Sequence, residues 1–171
     1  LGTFDLPLGD VTLSAGSGYS VSLGSIYTYA SPITINAPIY LLQNALFHTT
    51  PNAIPTGGVI NLNGKTVDSA GPTPFAFQMS AGDQVITVGD IGFTYPVSNV
   101  IITGADNFNM PSIYTAGGSI SIYPSIALLA DRNLITIRSG ALNGNNVLLG
   151  SEVDGAYSLD RKSTRLNSSH V

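Results

Sequence analysis

"GGSISI" (residues 117–122) sets one serine between two isoleucines, behind a pair of glycines. Successive side chains of an extended chain point to opposite faces, so Ile120 and Ile122 share one face and Ser121 takes the other. The same arrangement returns in "GDVTL" (9–13), "YSVSL" (19–23), "SPITI" (31–35), "GGVINL" (57–62), "GDQVITV" (82–88), "RNLITI" (132–137) and "NNVLL" (145–149). The aliphatic pairs are Val11/Leu13, Val21/Leu23, Ile33/Ile35, Ile60/Leu62, Ile86/Val88, Ile120/Ile122, Ile135/Ile137 and Val147/Leu149. Between them stand Thr12, Ser22, Thr34, Asn61, Thr87, Ser121, Thr136 and Leu148. All but the last are small and polar, so the period is two and one face is buried. A ninth stretch, "VIIT" (100–103), is apolar on both faces.

β-Branched residues and preceding Gly, Asn or Asp turns favour strands throughout. Only "IYLLQNALF" (39–47) and "PSIALLAD" (124–131) offer a short helix, the second with Pro124 suited to a first helical turn. Residues 49–56 and 70–74, with Pro51, Pro55, Pro72 and Pro74, read as loops. The expected fold class is therefore all-β. We read it as a parallel β-solenoid segment, with an antiparallel β-sandwich or jelly roll as the alternative. Against an ideal solenoid, the aliphatic pairs start 10, 12, 27, 26, 34, 15 and 12 residues apart, which is no clean period. Against a sandwich, hairpin signals are weak: "LNGK" (62–65) is the one good Asn-Gly turn, and "LNGNN" (142–146) is looser.

The last twelve residues, "DRKSTRLNSSHV" (160–171), do not belong to this pattern. They hold three of the six Lys and Arg of the chain, at Arg161, Lys162 and Arg165. Asp160–His170 resembles, residue for residue, the in-frame translation of a common sequencing adapter. We expect 160–171 to be a non-native tail that buries little, and 1–159 to be a single β domain or solenoid segment. His170 and the Asn167-Ser168-Ser169 sequon then carry no function. Residues 1–159 keep three basic and nine acidic side chains, a formal charge of −6. The chain opens on Leu1 rather than Met, and we expect an internal piece of a longer reading frame.

Charged residues make up 9% of the chain, against about 25% in ordinary domains. Cysteine is absent, which removes disulfides, thiol catalysis and cysteine-held metals. No apolar run approaches the roughly 18 residues of a membrane helix, so no transmembrane span is expected. An acidic body with three scattered cations is a poor partner for phosphate backbones, which argues against nucleic-acid binding. Sparse charge and abundant Thr, Ser and Asn suit an extracellular or cell-surface location.

Candidate chemistry is thin. His48 is the one histidine before the tail and has no nearby Ser motif or carboxylate to make it a base. "GADNFN" (104–109) offers Asp106, Asn107 and Asn109 as oxygen donors for Ca²⁺, but an Asx-turn explains them as well. Asp131, Arg132 and Arg138 are the only cluster of both signs, and a surface ion pair accounts for them better than a catalytic groove. Tyr19, Tyr27, Tyr29 and Tyr40 crowd the N-terminal third, where rings could stack on sugars or simply stand on strands. We expect no catalytic, cofactor or metal site.

"GDVTLSAGSG", "SPITINAPI", "GGVINLNGKTV" and "GGSISI" followed by "RNLITIRSGALNGNNVLL" resemble the degenerate repeats of filamentous-haemagglutinin-type adhesins. That resemblance implies an exported, non-enzymatic surface protein with a parallel β-helical shaft. Its partners would be a cell-surface glycan or protein, or copies of itself. The alternatives are a self-assembling β-sandwich subunit of an extracellular filament or virus capsid, and a β-helical carbohydrate-active enzyme.

Overall fold

The alternating pairs form strands, and these stack on one another instead of folding back in hairpins. The structure, a computed structural model, describes residues 1–50, 56–137 and 144–162. The first turn holds β1 (Val11–Leu13), β2 (Val21–Leu23) and β3 (Ile26–Tyr27). The second holds β4 (Ile33–Ile35), β5 (Ile39–Leu41) and β6 (Ala45–His48), and the third β7 (Ile60–Asn61), β8 (Val67–Ser69) and β9 (Phe77–Ser80). The fourth has β10 (Ile86–Thr87), the single bridging residue Ile91 and β11 (Val100–Gly104). The fifth has β12 (Phe108–Asn109), β13 (Ile113–Tyr114) and β14 (Ile120–Ile122), and the sixth β15 (Ile126–Ala127), β16 (Arg132–Ile135) and β17 (Val147–Leu149). Finally, β18 (Val153–Asp154) and β19 (Leu159–Lys162) begin a seventh.

Each complete turn thus contributes one strand to each of three faces, the fourth supplying only the bridging residue Ile91 to the second. The first face orders β1-β4-β7-β10-β12-β15-β18 and the third β3-β6-β9-β11-β14-β17. The second consists of β2-β5-β8 and β13-β16-β19, joined through Ile91, which bridges Val67 and Ile113. Every strand pair is parallel, and among the described residues only the single bridge Ala116–Ile137 is antiparallel. The chain is therefore a parallel β-solenoid of about six turns. The sandwich alternative is overturned, because a parallel pair needs a long crossover and the other two faces supply it.

In-register stacking turns the aliphatic pairs into columns along the axis. Val11, Ile33, Ile60, Ile86, Phe108, Ile126 and Val153 line up on the first face. Val21, Ile39, Val67, Ile91, Ile113 and Leu134 do so on the second. Two columns share the third face: Ile26-Phe47-Met79-Ile102-Ile122-Leu149 and Ala45-Phe77-Val100-Ile120-Val147. Their middle members are sealed from water, and Phe47 meets Phe77 edge to face at 5.1 Å. The corners explain the glycines: a Cβ on Gly118 would fall on the carbonyl of Ser98, and one on Gly57 on that of Ala81. The Asn-Gly turn forms as read, with positive φ at Asn63 and Gly64, yet it makes a corner between β7 and β8, not a hairpin.

Three expectations are corrected. Neither suggested helix forms: Ile39, Leu41, Ala45 and Phe47 all point inward across an exposed corner at Leu42, a pattern of two strands. "PSIALLAD" likewise carries β15, with Ile126 and Leu128 inside. The third correction concerns register. Ile120 and Ile122 are buried with Ser121 outside them, but at β16 and just after it the inward residues are Leu134 and Thr136, while Ile135 and Ile137 are only partly buried. Thr136 follows β16 at a corner, where its Oγ1 donates to Lys162 O at 3.4 Å, as Thr115 Oγ1 one turn away donates to Gly118 O at 2.7 Å. A β-branched threonine fills such a place as valine would while satisfying its polar atom.

The beginning of the tail takes part in the ladder. β19 pairs with β16, Arg161 opposite Leu134, and Asp160, Arg161 and Lys162 are all exposed. The aliphatic column of the second face thus ends on a cation. The remaining tail residues, the 51–55 part of the first proline loop, and residues 142–143 of "LNGNN" lie outside the described residues.

Truncating Ile102 to Ala should cost roughly 2–5 kcal/mol by transfer and cavity terms, while Ser121→Ala should stay within about 0.5 kcal/mol. Chemical denaturation of the two variants checks this, and similar losses for both would refute the assigned faces. Arg161→Leu, which continues the column over Leu134, should raise stability by about 1 kcal/mol. A lowered unfolding midpoint would count against that placement.

Candidate functional site

Because the interior is filled, any site must be built on the outer side of a face or in a corner. A cleft of about 480 Å³ lies between the 15–20 loop and the outer side of the next two turns. The loop is a tight turn: Tyr19 N donates to Gly16 O at 3.0 Å, and Gly18 has φ of 80°. The Tyr19 ring lies over Gly16, whose Cβ would sit 3.5 Å from it, and the residue remains 73% exposed. Opposite stand Asn36, Pro38, Tyr40 and Lys65. The floor is braced by a chain of side chains over three turns, in which Asn36 Nδ2 donates to Ser14 Oγ at 3.0 Å and Asn63 Nδ2 donates to Asn36 Oδ1.

A second, smaller recess of about 240 Å³ lies on the third face. Its apolar floor includes Leu46, Phe77 and Ile101, which accounts for the doubly apolar "VIIT". Asn44 and Asn99 edge it, but both are engaged: Asn44 Oδ1 accepts from Ala76 N at 2.9 Å and Asn99 Oδ1 from Ser119 N at 2.8 Å. The recess falls at Ala76, which occupies the corner position before its strand that Asn44 and Asn99 fill in neighbouring turns.

His48 ends β6 on the outer side of the third face. The Phe4 ring stacks on it and Tyr27 meets it edge-on, each with a centroid distance of 6.3 Å. Its Nε2 is 3.1 Å from Thr50 Oγ1, while the buried Nδ1 has no hydrogen-bond partner. Burial therefore holds the imidazole below its ordinary pKa. No carboxylate bonds to it.

Of the cluster Asp131, Arg132 and Arg138, the two described members form no ion pair with each other. Asp131 Oδ1 accepts from Ser158 N at 2.9 Å, and Arg132 Nε donates to Met110 O at 2.8 Å, so each holds the backbone of an adjacent turn. Arg138 lies outside the described residues. The Ser158 backbone and side-chain hydrogen bonds keep the Asp131 carboxyl below its usual pKa. Asp83 is lowered too, by the Gln84 side chain and then the Gly57 N–H.

Asp106 and Asn107 are exposed before β12, and Asn109 stands on its outer side. Asp106 N donates to Gln84 O and Asn107 O accepts from Ile86 N, as in a corner of the coil. No cluster of three or more His, Cys, Asp or Glu suited to a metal occurs among the described residues. Of the four early tyrosines, Tyr19 and Tyr40 come together in the large cleft, whereas Tyr27 and Tyr29 lie at the third face and its corner. Sequence reasoning did not pair them, since the pairing depends on how far the 15–20 loop leans over the next turn.

The fold defines a class, the parallel β-solenoids with three faces. Compared with known proteins, the chain matches no family model, no curated protein and no solved structure. Among the described residues, no helix is long and apolar enough to cross a membrane.

Acidification should destabilise the fold in two stages. A histidine with a lowered folded pKa contributes stability that is complete above its ordinary value of about 6.5 and lost as pH falls through the folded value. Asp83 and Asp131, also lowered, add a loss below their ordinary value of about 3.9. Melting temperature in wild type should drop from about pH 6.5 downward, and His48→Gln should flatten that upper stage alone. An unchanged profile in the variant would overturn the assignment.

Proposed function

We propose that this chain is a structural and adhesive segment of an exported, cell-surface β-solenoid, without catalytic activity. The observation that carries the reading is the unbroken stacking of six aliphatic residues on the second face and of seven apolar ones, six aliphatic residues and Phe108, on the first. Such a body is a rod. At about 4.8 Å per step, six steps span roughly 30 Å along the axis. Neither disulfide nor metal is needed to hold it, because backbone ladders run its length and burial is continuous.

Both ends of the rod support the shaft reading. Among the described residues, β1 and β2 at one end, and β17, β18 and β19 at the other, each have one strand edge with no further strand on it. Leu13, Val21 and Leu23 are only partly covered, and Val153 is exposed. A further turn, or another copy, would extend ladder and columns together. The enzyme alternative has less to recommend it: Asp68, Asp83, Asp90 and Asp131 accept from backbone N–H groups, and His48 packs against aromatic rings.

The reading predicts two results. Labelled protein should bind intact cells saturably, and screening against polysaccharide, ester and peptide substrates should give background turnover. Turnover that disappears in His48→Ala or Asp131→Ala would replace the adhesive reading with an enzymatic one.

A further inference from the structure

We propose that the cleft between the 15–20 loop and the second face binds an unsulfated glycan bearing a uronic-acid carboxylate. This rests on the adhesive reading and gives it a site. A pyranose ring has a C–H face that is apolar and weakly positive, bordered by hydroxyls that need donors and acceptors. An aromatic face is its complement, carrying the negative part of the ring quadrupole. Tyr19 stands 73% exposed to solvent, and the turn that bonds its N–H to Gly16 O fixes the backbone from which the ring projects. Two torsions in such a side chain make little entropy to lose on binding. Tyr40 gives a second aromatic wall, and Ser17 and Asn36 are neutral hydrogen-bonding groups in the same cleft. The volume, about 480 Å³, lies within the range of small-ligand sites.

Charge selects the class of sugar. Lys65 is the only charged residue lining the cleft, and it makes no ion pair among the described residues. It is one of three cations in a body carrying nine acids. An ammonium group presents a compact point charge suited to a single carboxylate. A heavily sulfated polymer would instead meet the negative field of the whole body, with no second cation here to offset it. The neighbouring acid on the second face, Asp68, stands beside Tyr40 in register. It is 2% exposed and accepts from Thr94 N and Tyr95 N at 2.8 and 3.2 Å, so its carboxylate is turned to the protein.

The test titrates the whole chain, labelled with ¹⁵N, with three tetrasaccharides: hyaluronan, chitin and heparin fragments. Hyaluronan tetrasaccharide should shift the amides of residues 16–20, 36–40 and 65 and bind more tightly than either of the others. Tyr19→Ala, a change at an exposed position, should weaken it about tenfold, the equivalent of ~1.4 kcal/mol. Lys65→Gln should bring hyaluronan and chitin fragments to equal affinity. No shifts in the cleft with any fragment, or shifts unaffected by Tyr19→Ala, would overturn the site. Preference for chitin or heparin fragments would overturn the uronate assignment. Saturable cell binding that survives Tyr19→Ala would refute the cleft as the adhesive site while leaving the adhesive reading intact.

Discussion

Hydrogen bonds that run along the axis, from each turn to the next, are the constraint on which everything else depends. A parallel ladder spaces its strands about 4.8 Å apart and keeps them in register. Each inward side chain must then sit on its counterpart one turn away. Ile113 rests on Ile91 and under Leu134, and Ile102 between Met79 and Ile122. No single turn could bury its own apolar face, because a three-residue strand has only two inward positions.

The same spacing governs the polar groups. Where the chain leaves a strand, backbone N–H groups lose their ladder partners, and a buried donor without an acceptor is costly. Side chains one turn away supply the acceptors. Asp68, Asp83, Asp90 and Asp131 take N–H groups of Thr94 and Tyr95, Gly57, Ser112 and Ser158. Ser25, Asn44 and Asn99 do the same for Leu46, Ala76 and Ser119. Among the described residues the one ion pair is Asp160–Lys162, and these four carboxylates act as acceptors for backbone donors.

The all-β class was legible because alternation is a property of single strands, and "GGSISI" or "SPITI" displays it without reference to anything distant. The periodicity was hidden because the eight pairs belong to three faces. Val11/Leu13 and Val21/Leu23 are ten residues apart yet lie on different faces of one turn. Read along the first face alone, Val11, Ile33, Ile60, Ile86, Phe108, Ile126 and Val153 follow at steps of 22, 27, 26, 22, 18 and 27 residues. Thr136 was misread for a related reason: polarity predicts exposure on a face but not at a corner, where a hydroxyl finds a carbonyl. Of the candidate site, the sequence held the tyrosines and Lys65 but not their meeting. A loop of seven residues between β1 and β2 decides that, through a turn at Gly16 and Gly18.

Those unequal steps have an evolutionary consequence. Between the fully described steps of 18 and 26 residues, most of the difference is taken up in corners, where added chain leaves the columns untouched. The stretch after β8, which bends through Ala70–Thr73 before returning at β9, is such an addition. A lineage can lengthen, shorten or replace one corner while every other turn keeps its neighbours. Corners can therefore diversify quickly on a solenoid whose ladders change slowly, and related chains would be expected to differ most there.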